Sequence, residues 1–145
     1  MAMDRSFVEH NRASTERLLK LVSKLSDQEF RHQVGEHWTV AIALAHLAFW
    51  DERVMLVLDK TEYDGRLSAV EVDVLVNDIS LPLWAAISPP EATRLAVETA
   101  QALDKRLEEF PHELLEQIYN YNKHWVFRSL HRDEHLDEVE KALTR

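Results

Sequence analysis

A chain of 145 residues has the length of one ordinary domain, and we expect residues 1–145 to form a single one. Hydrophobic residues make up 46% of it and charged residues 30%, and no segment approaches the roughly 18 to 20 apolar residues of a membrane span. The net charge of −9 would repel a nucleic-acid backbone, and the absence of cysteine excludes disulfides, thiolate ligands and a cysteine nucleophile. Since no signal-peptide pattern opens the chain, we expect a cytoplasmic protein with neither a membrane nor nucleic acid as a partner.

The first part of the chain has the pattern of a long helix followed by a short one. Asp4 or Ser6 can cap a helix that runs to about Leu25, with its apolar residues near one face. Ser26–Glu29 has the sequence of a capping box, which predicts one further short turn. A polar connection through Gly35 then leads to the second long helix.

That second helix is predicted from Val40 to about Leu58, with Thr39 as its cap. It is apolar on all sides between residues 40 and 50, so we expect other elements to cover it on more than one side. A third helical segment is predicted to start at 68–71 and to reach Ile87, bent or broken at Pro82.

The clearest helix start in the chain is 88–91, Ser-Pro-Pro-Glu, which opens a helix to Phe110. A short helical piece follows from Pro111 to about Ile118, and Asn122 can cap a last helix that ends near Leu143. Four long amphipathic helices with few glycines predict an all-α fold, an antiparallel four-helix bundle. The stretch between the second and third long helices would be a crossover segment.

Three histidines carry the candidate chemistry. His131 and His135 are four residues apart, so they project from one helix face and can bind one metal ion, while His46 arrives from a facing helix. A helical wheel places the pair in the apolar half of the last helix, together with Arg128, Arg132 and Glu138, which could line a cavity or reach past it to solvent. Taken singly, His46 is more often a core residue, and an i, i+4 pair arises by chance in a chain with eight histidines.

The remaining histidines are weaker candidates. His10 could face inward one turn after Phe7 and is a reserve ligand, although a surface position is favoured. Four others are expected to be exposed to solvent: His32, His37, His112 and His124.

Two motifs resemble those of a known family, the DinB/YfiT-like bundles, which include the N-terminal domain of mycothiol-dependent maleylpyruvate isomerase. The first is the tryptophan-led segment 38–47, WTVAIALAHL, and the second is 131–139, HRDEHLDEV. They are similar to the family's pattern of one histidine on the second helix and an H-x-x-x-H pair on the last.

The resemblance implies that His46, His131 and His135 are ligands of a divalent metal, with Zn or Ni expected first and Mn or Fe as alternatives. It also implies a homodimer and, from the characterised enzymes, a low-molecular-weight thiol such as mycothiol or bacillithiol. The isomerase carries an additional C-terminal domain for which this sequence has no counterpart, so isomerase activity does not follow from the resemblance.

A metal held by histidines needs partners for their second ring nitrogens, and the sequence offers four carboxylates without choosing among them: Glu134, Glu138, Asp51 and Glu9. Each is more often a solvated surface charge. A group of aromatic residues is expected either to pack in the core or to shape a pocket above the metal: Trp38, Trp50, Trp84, Trp125, Tyr119 and Tyr121.

Two functions from different classes remain open. The first is an enzyme whose metal activates a thiol or water against a small electrophile, as a transferase, isomerase or hydrolase. The second is a non-catalytic metal-binding, interaction or sequestering dimer. Metal content and turnover of thiol or ester substrates separate them.

Overall fold

The computed structural model describes residues 3–144, which form seven α-helices, one short 3-10 turn and a two-stranded hairpin. The elements in chain order are α1 (Phe7–Lys24), α2 (Asp27–Phe30), β1 (Gln33–Val34), β2 (Trp38–Thr39), α3 (Val40–Asp64), α4 (Val76–Ala85), α5 (Pro89–Glu109), α6 (His112–Tyr121), the 3-10 turn Lys123–Trp125 and α7 (Ser129–Leu143). The predicted all-α class is confirmed. Within residues 3–144, no helix is both long enough and apolar enough to cross a bilayer.

The four long helices, α1, α3, α5 and α7, form the bundle. Each packs against two of the others, because α3 contacts α5 and α7 while α1 contacts the same two. Thr15 of α1 meets Asp104 of α5 while Arg12 meets Glu108, so these two helices are antiparallel. In the same way α3 is antiparallel to α7.

The other two neighbouring pairs are parallel. Residues near the start of α3 share an apolar cluster with the first half of α5, and the second halves of both helices share another. Parallel neighbours need a connection that returns along the bundle, and residues 65–88 supply it. The predicted crossover segment is therefore confirmed, with α4 packed on α3.

Helix ends follow the caps that the sequence contains. Ser26 forms the capping box, Thr39 accepts the Ile42 N–H, and Ser88 accepts the Glu91 N–H. The second long helix extends beyond the predicted Leu58 to Asp64, where Gly65 ends it with a φ of 71°.

Two predicted boundaries were wrong. The segment 68–71 does not start a helix, since α4 begins at Val76, and Pro82 lies inside α4 without breaking it. A helix of ten residues loses only one internal hydrogen bond to that proline. Asn122 caps the 3-10 turn and not α7, because the turn carries Trp125 into the core.

The bundle core consists of two apolar clusters with a polar layer between them. The first cluster includes Leu44, Ala96 and Leu136, and the second includes Leu58 and Leu107. The layer between them is made of buried polar residues from all four long helices: Asn11, Ser14, Thr15, Asp51, Asp104, Arg128 and Arg132. On α3 and α7, the residues of this layer lie beside the three candidate histidines.

Candidate metal centre

His46 reaches the centre from α3, a helix that is buried on nearly every side between residues 40 and 48. Only 3% of its surface is exposed. His131 and His135 come from α7, where a spacing of four residues places both rings on one face. Because α3 and α7 are antiparallel neighbours, that face is turned toward His46.

The three imidazoles meet through their Nε2 atoms. Nε2 of His46 lies 3.3 Å from Nε2 of His131 and 3.1 Å from Nε2 of His135. One ligand atom from each ring lies within 4.8 Å of the other two, so the group has the dimensions of a metal site. The structure thus brings together all three histidines that the sequence singled out.

The two separations from His46 Nε2 fit a tetrahedral divalent ion. Two nitrogens each about 2.0 to 2.1 Å from such an ion lie roughly 3.3 Å apart, which is close to the separations found here. His46, His131 and His135 would hold such an ion and would leave a position for water or a substrate atom.

The electrostatics keep two of these rings neutral, which is the form that binds a metal. Burial, and next the nearby His135, lower the pKa of His46 to about 3. Burial and the Arg128 guanidinium lower the pKa of His131 to about 2. Both rings therefore keep lone pairs for a cation at neutral pH.

The second ring nitrogens have three different surroundings. His135 Nδ1 lies 3.1 Å from Glu138 Oε1, the carboxylate contact that is usual for a ligating imidazole. His46 Nδ1 is buried without a hydrogen-bond partner among the described residues. His131 Nδ1 lies 3.3 Å from Nη2 of Arg128. Since an arginine can only donate, Nδ1 of His131 is the acceptor in this contact, and the ring proton is on Nε2. When Nε2 binds a cation, either this proton moves to Nδ1 and the contact with Arg128 opens, or the proton leaves the ring.

Tryptophans surround His46. The ring of Trp38 lies 4.5 Å from the His46 ring and also stacks on His135, at 5.8 Å. Trp84 and Trp50 complete the wall, with ring centroids 5.5 and 6.3 Å from that of His46. Trp38 belongs to the hairpin of β1 and β2, whose turn uses Gly35 at a φ of 71°, so the hairpin covers this side of the centre.

The other aromatic candidates lie away from the histidines. Trp125 is buried in the second cluster, and Tyr121 packs on it with ring centroids 5.2 Å apart. Tyr119 packs on Phe127. Three of the six aromatic candidates therefore pack around His46, and Trp125 lines a separate cavity beside His131.

Asp51 does not contact the histidines. It accepts Nε of Arg128 at 2.8 Å and Nη2 of Arg132 at 3.1 Å, and all three side chains are buried. Arg132 also pairs with Asp104 of α5, through Nη1 at 2.8 Å. Arg128 and Arg132 are both buried and ion-paired, so neither reaches past the core to solvent, and Arg128 lines a cavity beside His131, which was the other predicted alternative.

Glu9 and Glu134 are exposed, and only Glu138 of the four candidate carboxylates contacts a ring nitrogen within the described part of the chain. His10 is exposed on α1, against Phe127, and is not part of the group. The four histidines expected at the surface are all exposed: His32, His37, His112 and His124.

Two cavities reach the centre from different sides. The larger, of 540 Å³, lies between the hairpin and α7, and His135, Trp38 and Glu138 line it. The smaller, of 190 Å³, lies between α3, the 3-10 turn and α7, and His131 lines it. Each cavity thus borders one of the two histidines of α7.

Comparison with known protein families identifies the family to which the chain belongs. A sequence model of the DinB superfamily matches residues 10–137, a span that contains all three histidines. The chain belongs to the DinB superfamily. A search of the curated proteins found no match, and a search of the solved structures found none either.

Proposed function

We propose that this DinB-superfamily protein is a divalent-metal-dependent enzyme whose metal is held by His46, His131 and His135. The observation that carries the proposal is the convergence of three Nε2 atoms at separations of 3.1 and 3.3 Å around His46. Imidazole nitrogens at this spacing satisfy one another poorly, because a neutral ring has only one N–H to donate, and a shared cation satisfies all three.

The metal would supply a double positive charge with an open position, which lowers the pKa of a bound thiol or water and makes it a nucleophile at neutral pH. Zn or Ni suits three imidazoles, and Mn or Fe remain alternatives. The chain's own residues prepare the position. Glu138 holds the His135 ring from its Nδ1 side, and Trp38 covers His46 and restricts the approach to the cavities.

The nucleophile in this proposal is a low-molecular-weight thiol of the mycothiol or bacillithiol type, or water, and the second substrate is a small electrophile. The activity would be that of a thiol transferase or isomerase, or of a hydrolase. Family membership and the two cavities beside the histidines support a small-molecule substrate. A cytoplasmic location and a homodimer stay predictions.

The test is metal content followed by turnover. We expect about one Zn, Ni, Mn or Fe per purified chain by elemental analysis, and no uptake in the variant with all three histidines changed to alanine. His112→Ala is the matched control, because it removes an exposed imidazole outside the group. Protein that holds no metal and takes up none at neutral pH would contradict the proposal.

Metal-loaded protein is then screened with low-molecular-weight thiols and electrophiles, and with esters for hydrolysis. We expect turnover that His131→Ala abolishes. Stoichiometric metal without turnover of any thiol or ester substrate would favour the alternative, a non-catalytic metal-binding or sequestering protein.

A further inference from the structure

The smaller cavity holds a feature that the metal site does not require. It is the 190 Å³ space beside His131, and two arginines, Arg53 and Arg128, line it. Arg128 is paired with Asp51, but Arg53 lies outside that pairing. Arg53 is half-buried at the wall of this cavity, so its charge loses part of its hydration there.

Arg53 is held in place by aromatic packing and one hydrogen bond. Its Cζ lies 4.9 Å from the Trp50 ring centroid and 4.7 Å from that of Trp125. A guanidinium over an aromatic ring turns its flat face to the ring, so its N–H donors point outward from the edges. Nη1 donates to the Val70 carbonyl at 2.9 Å, which uses one of five donors.

The charge of Arg53 is poorly compensated. Its Nε is buried and has no hydrogen-bond partner among residues 3–144. Burial, and next the neighbouring Arg128, lower the pKa of Arg53, while Glu71 and Tyr121 act in the opposite direction. Glu134, on the exposed rim, is the carboxylate among the residues that line the cavity. In this cavity wall the charge of Arg128 is balanced by Asp51, whereas Arg53 forms no ion pair among residues 3–144.

We propose that this cavity binds the carboxylate of a small-molecule substrate, held by the Arg53 guanidinium while the rest of the molecule reaches toward His131. A carboxylate is favoured because a fixed planar guanidinium offers parallel N–H donors that match its two oxygens. The cavity is also small, which suits a planar group of three heavy atoms. The assignment rests on the proposed function in one respect, that the reacting atom is directed to a metal at the histidines.

The experiment compares two probes with the same thiol, 3-mercaptopropionate and its uncharged amide, 3-mercaptopropanamide. On Co²⁺-loaded protein, the thiolate-to-cobalt absorption band reports binding at the metal. On metal-free protein, the ¹⁵N NMR signal of Arg53 Nε reports binding at the cavity. We expect the carboxylate to bind about 10-fold more tightly than the amide, since it adds a charge-assisted hydrogen-bonded pair.

Arg53→Gln should reduce that preference to about 2-fold or less while the amide binds as before. Arg66→Gln is the matched control, because it removes the same charge from an exposed arginine and should retain the preference. Arg53→Lys tests whether the parallel N–H donors of the guanidinium matter. We expect an intermediate preference for the carboxylate, because lysine keeps the positive charge but lacks this pair of parallel donors. Glu134→Gln should tighten the carboxylate alone by about 2-fold, and it leaves the packing of Arg53 on the tryptophans intact.

Equal affinity for the two probes in the unaltered protein would overturn the proposal, as would a preference that survives Arg53→Gln in protein that folds normally. If Arg53→Gln fails to fold, the response of the Arg53 Nε signal to the two probes and the effect of Glu134→Gln decide. Absence of the cobalt band with both thiols would contradict the proposed thiol chemistry, whereas a carboxylate-specific shift of the Arg53 signal would still support the carboxylate site.

Discussion

The histidine group and the polar layer between the two apolar clusters share α3 and α7 but are built in opposite ways. In the layer, the charge of Arg132 meets Asp51 and Asp104, and its donors also reach the Thr15 hydroxyl at 3.1 Å. In the histidine group, like side chains face each other, and the His46 Nδ1 has no partner among residues 3–144. A buried polar network that pairs internally is structural, whereas one that leaves its acceptors facing each other calls for a ligand.

The largest effect should come from breaking the layer. We expect Arg132→Met to lower the free energy of unfolding by about 3–5 kcal/mol, because buried Asp104 loses its cation and Asp51 keeps only Arg128. Urea denaturation followed by circular dichroism measures the change. A loss below about 1 kcal/mol would show that the layer is more hydrated than the structure indicates.

Metal binding should stabilise the protein by a comparable but smaller amount. At a free metal concentration about 100 times the dissociation constant, we expect the free energy of unfolding to rise by about 2.7 kcal/mol. The same titration on His131→Ala should give little change, and the metal-free stabilities of the two proteins provide the baseline. Equal stabilisation of both would place the metal elsewhere.

The contact of Glu138 with His135 combines features of both regions. It pairs a carboxylate with a nitrogen donor, as in the polar layer, but it lies within the histidine group. We expect Glu138→Gln to weaken metal affinity by about 10-fold, the lower end for such partners because the carboxylate is 53% exposed. A competition titration with a chelator measures it. Asp137→Asn removes the same charge from the neighbouring position of α7 and should change affinity far less.

The smallest effect should come from an exposed counterpart of Arg132. Arg17 also joins α1 to α7, through ion pairs with Asp133, Asp137 and Glu140, but its side chain is 29% exposed. We expect Arg17→Met to cost less than about 1 kcal/mol, because water already screens these pairs. Denaturation beside Arg132→Met tests this, and similar losses in the two variants would mean that burial does not set the difference.

The burial of His46 and the shared face of His131 and His135 could be predicted because that information is local, whereas the family resemblance implied that the three are ligands of one metal. A spacing of four residues fixes the relative positions of His131 and His135 on any helix, and the apolar surroundings of His46 indicate burial. Caps such as Ser88 likewise act on residues only three positions away, so the main helix starts could be predicted.

The ion pairs of the polar layer could not be predicted in the same way, because their partners come from three helices, α3, α5 and α7. The helical wheel places Arg128 and Arg132 on the inner half of α7, but no spacing along the chain shows that Asp51 and Asp104 face them. The start of α4 was missed for a related reason: residues 65–75 have no regular structure, and their path is set by the α3 surface on which α4 packs.

The position of the layer between the two apolar clusters has a consequence for register. Leucines and alanines pack acceptably after a helix slides by one turn, about 5.4 Å, but such a slide would separate Arg132 from both of its acids. The ion pairs therefore fix the position of α7 along the helix axis relative to α3 and α5. The alignment of His135 with His46 thus depends on the ion pairs of Arg132, although these charged groups contact neither ring.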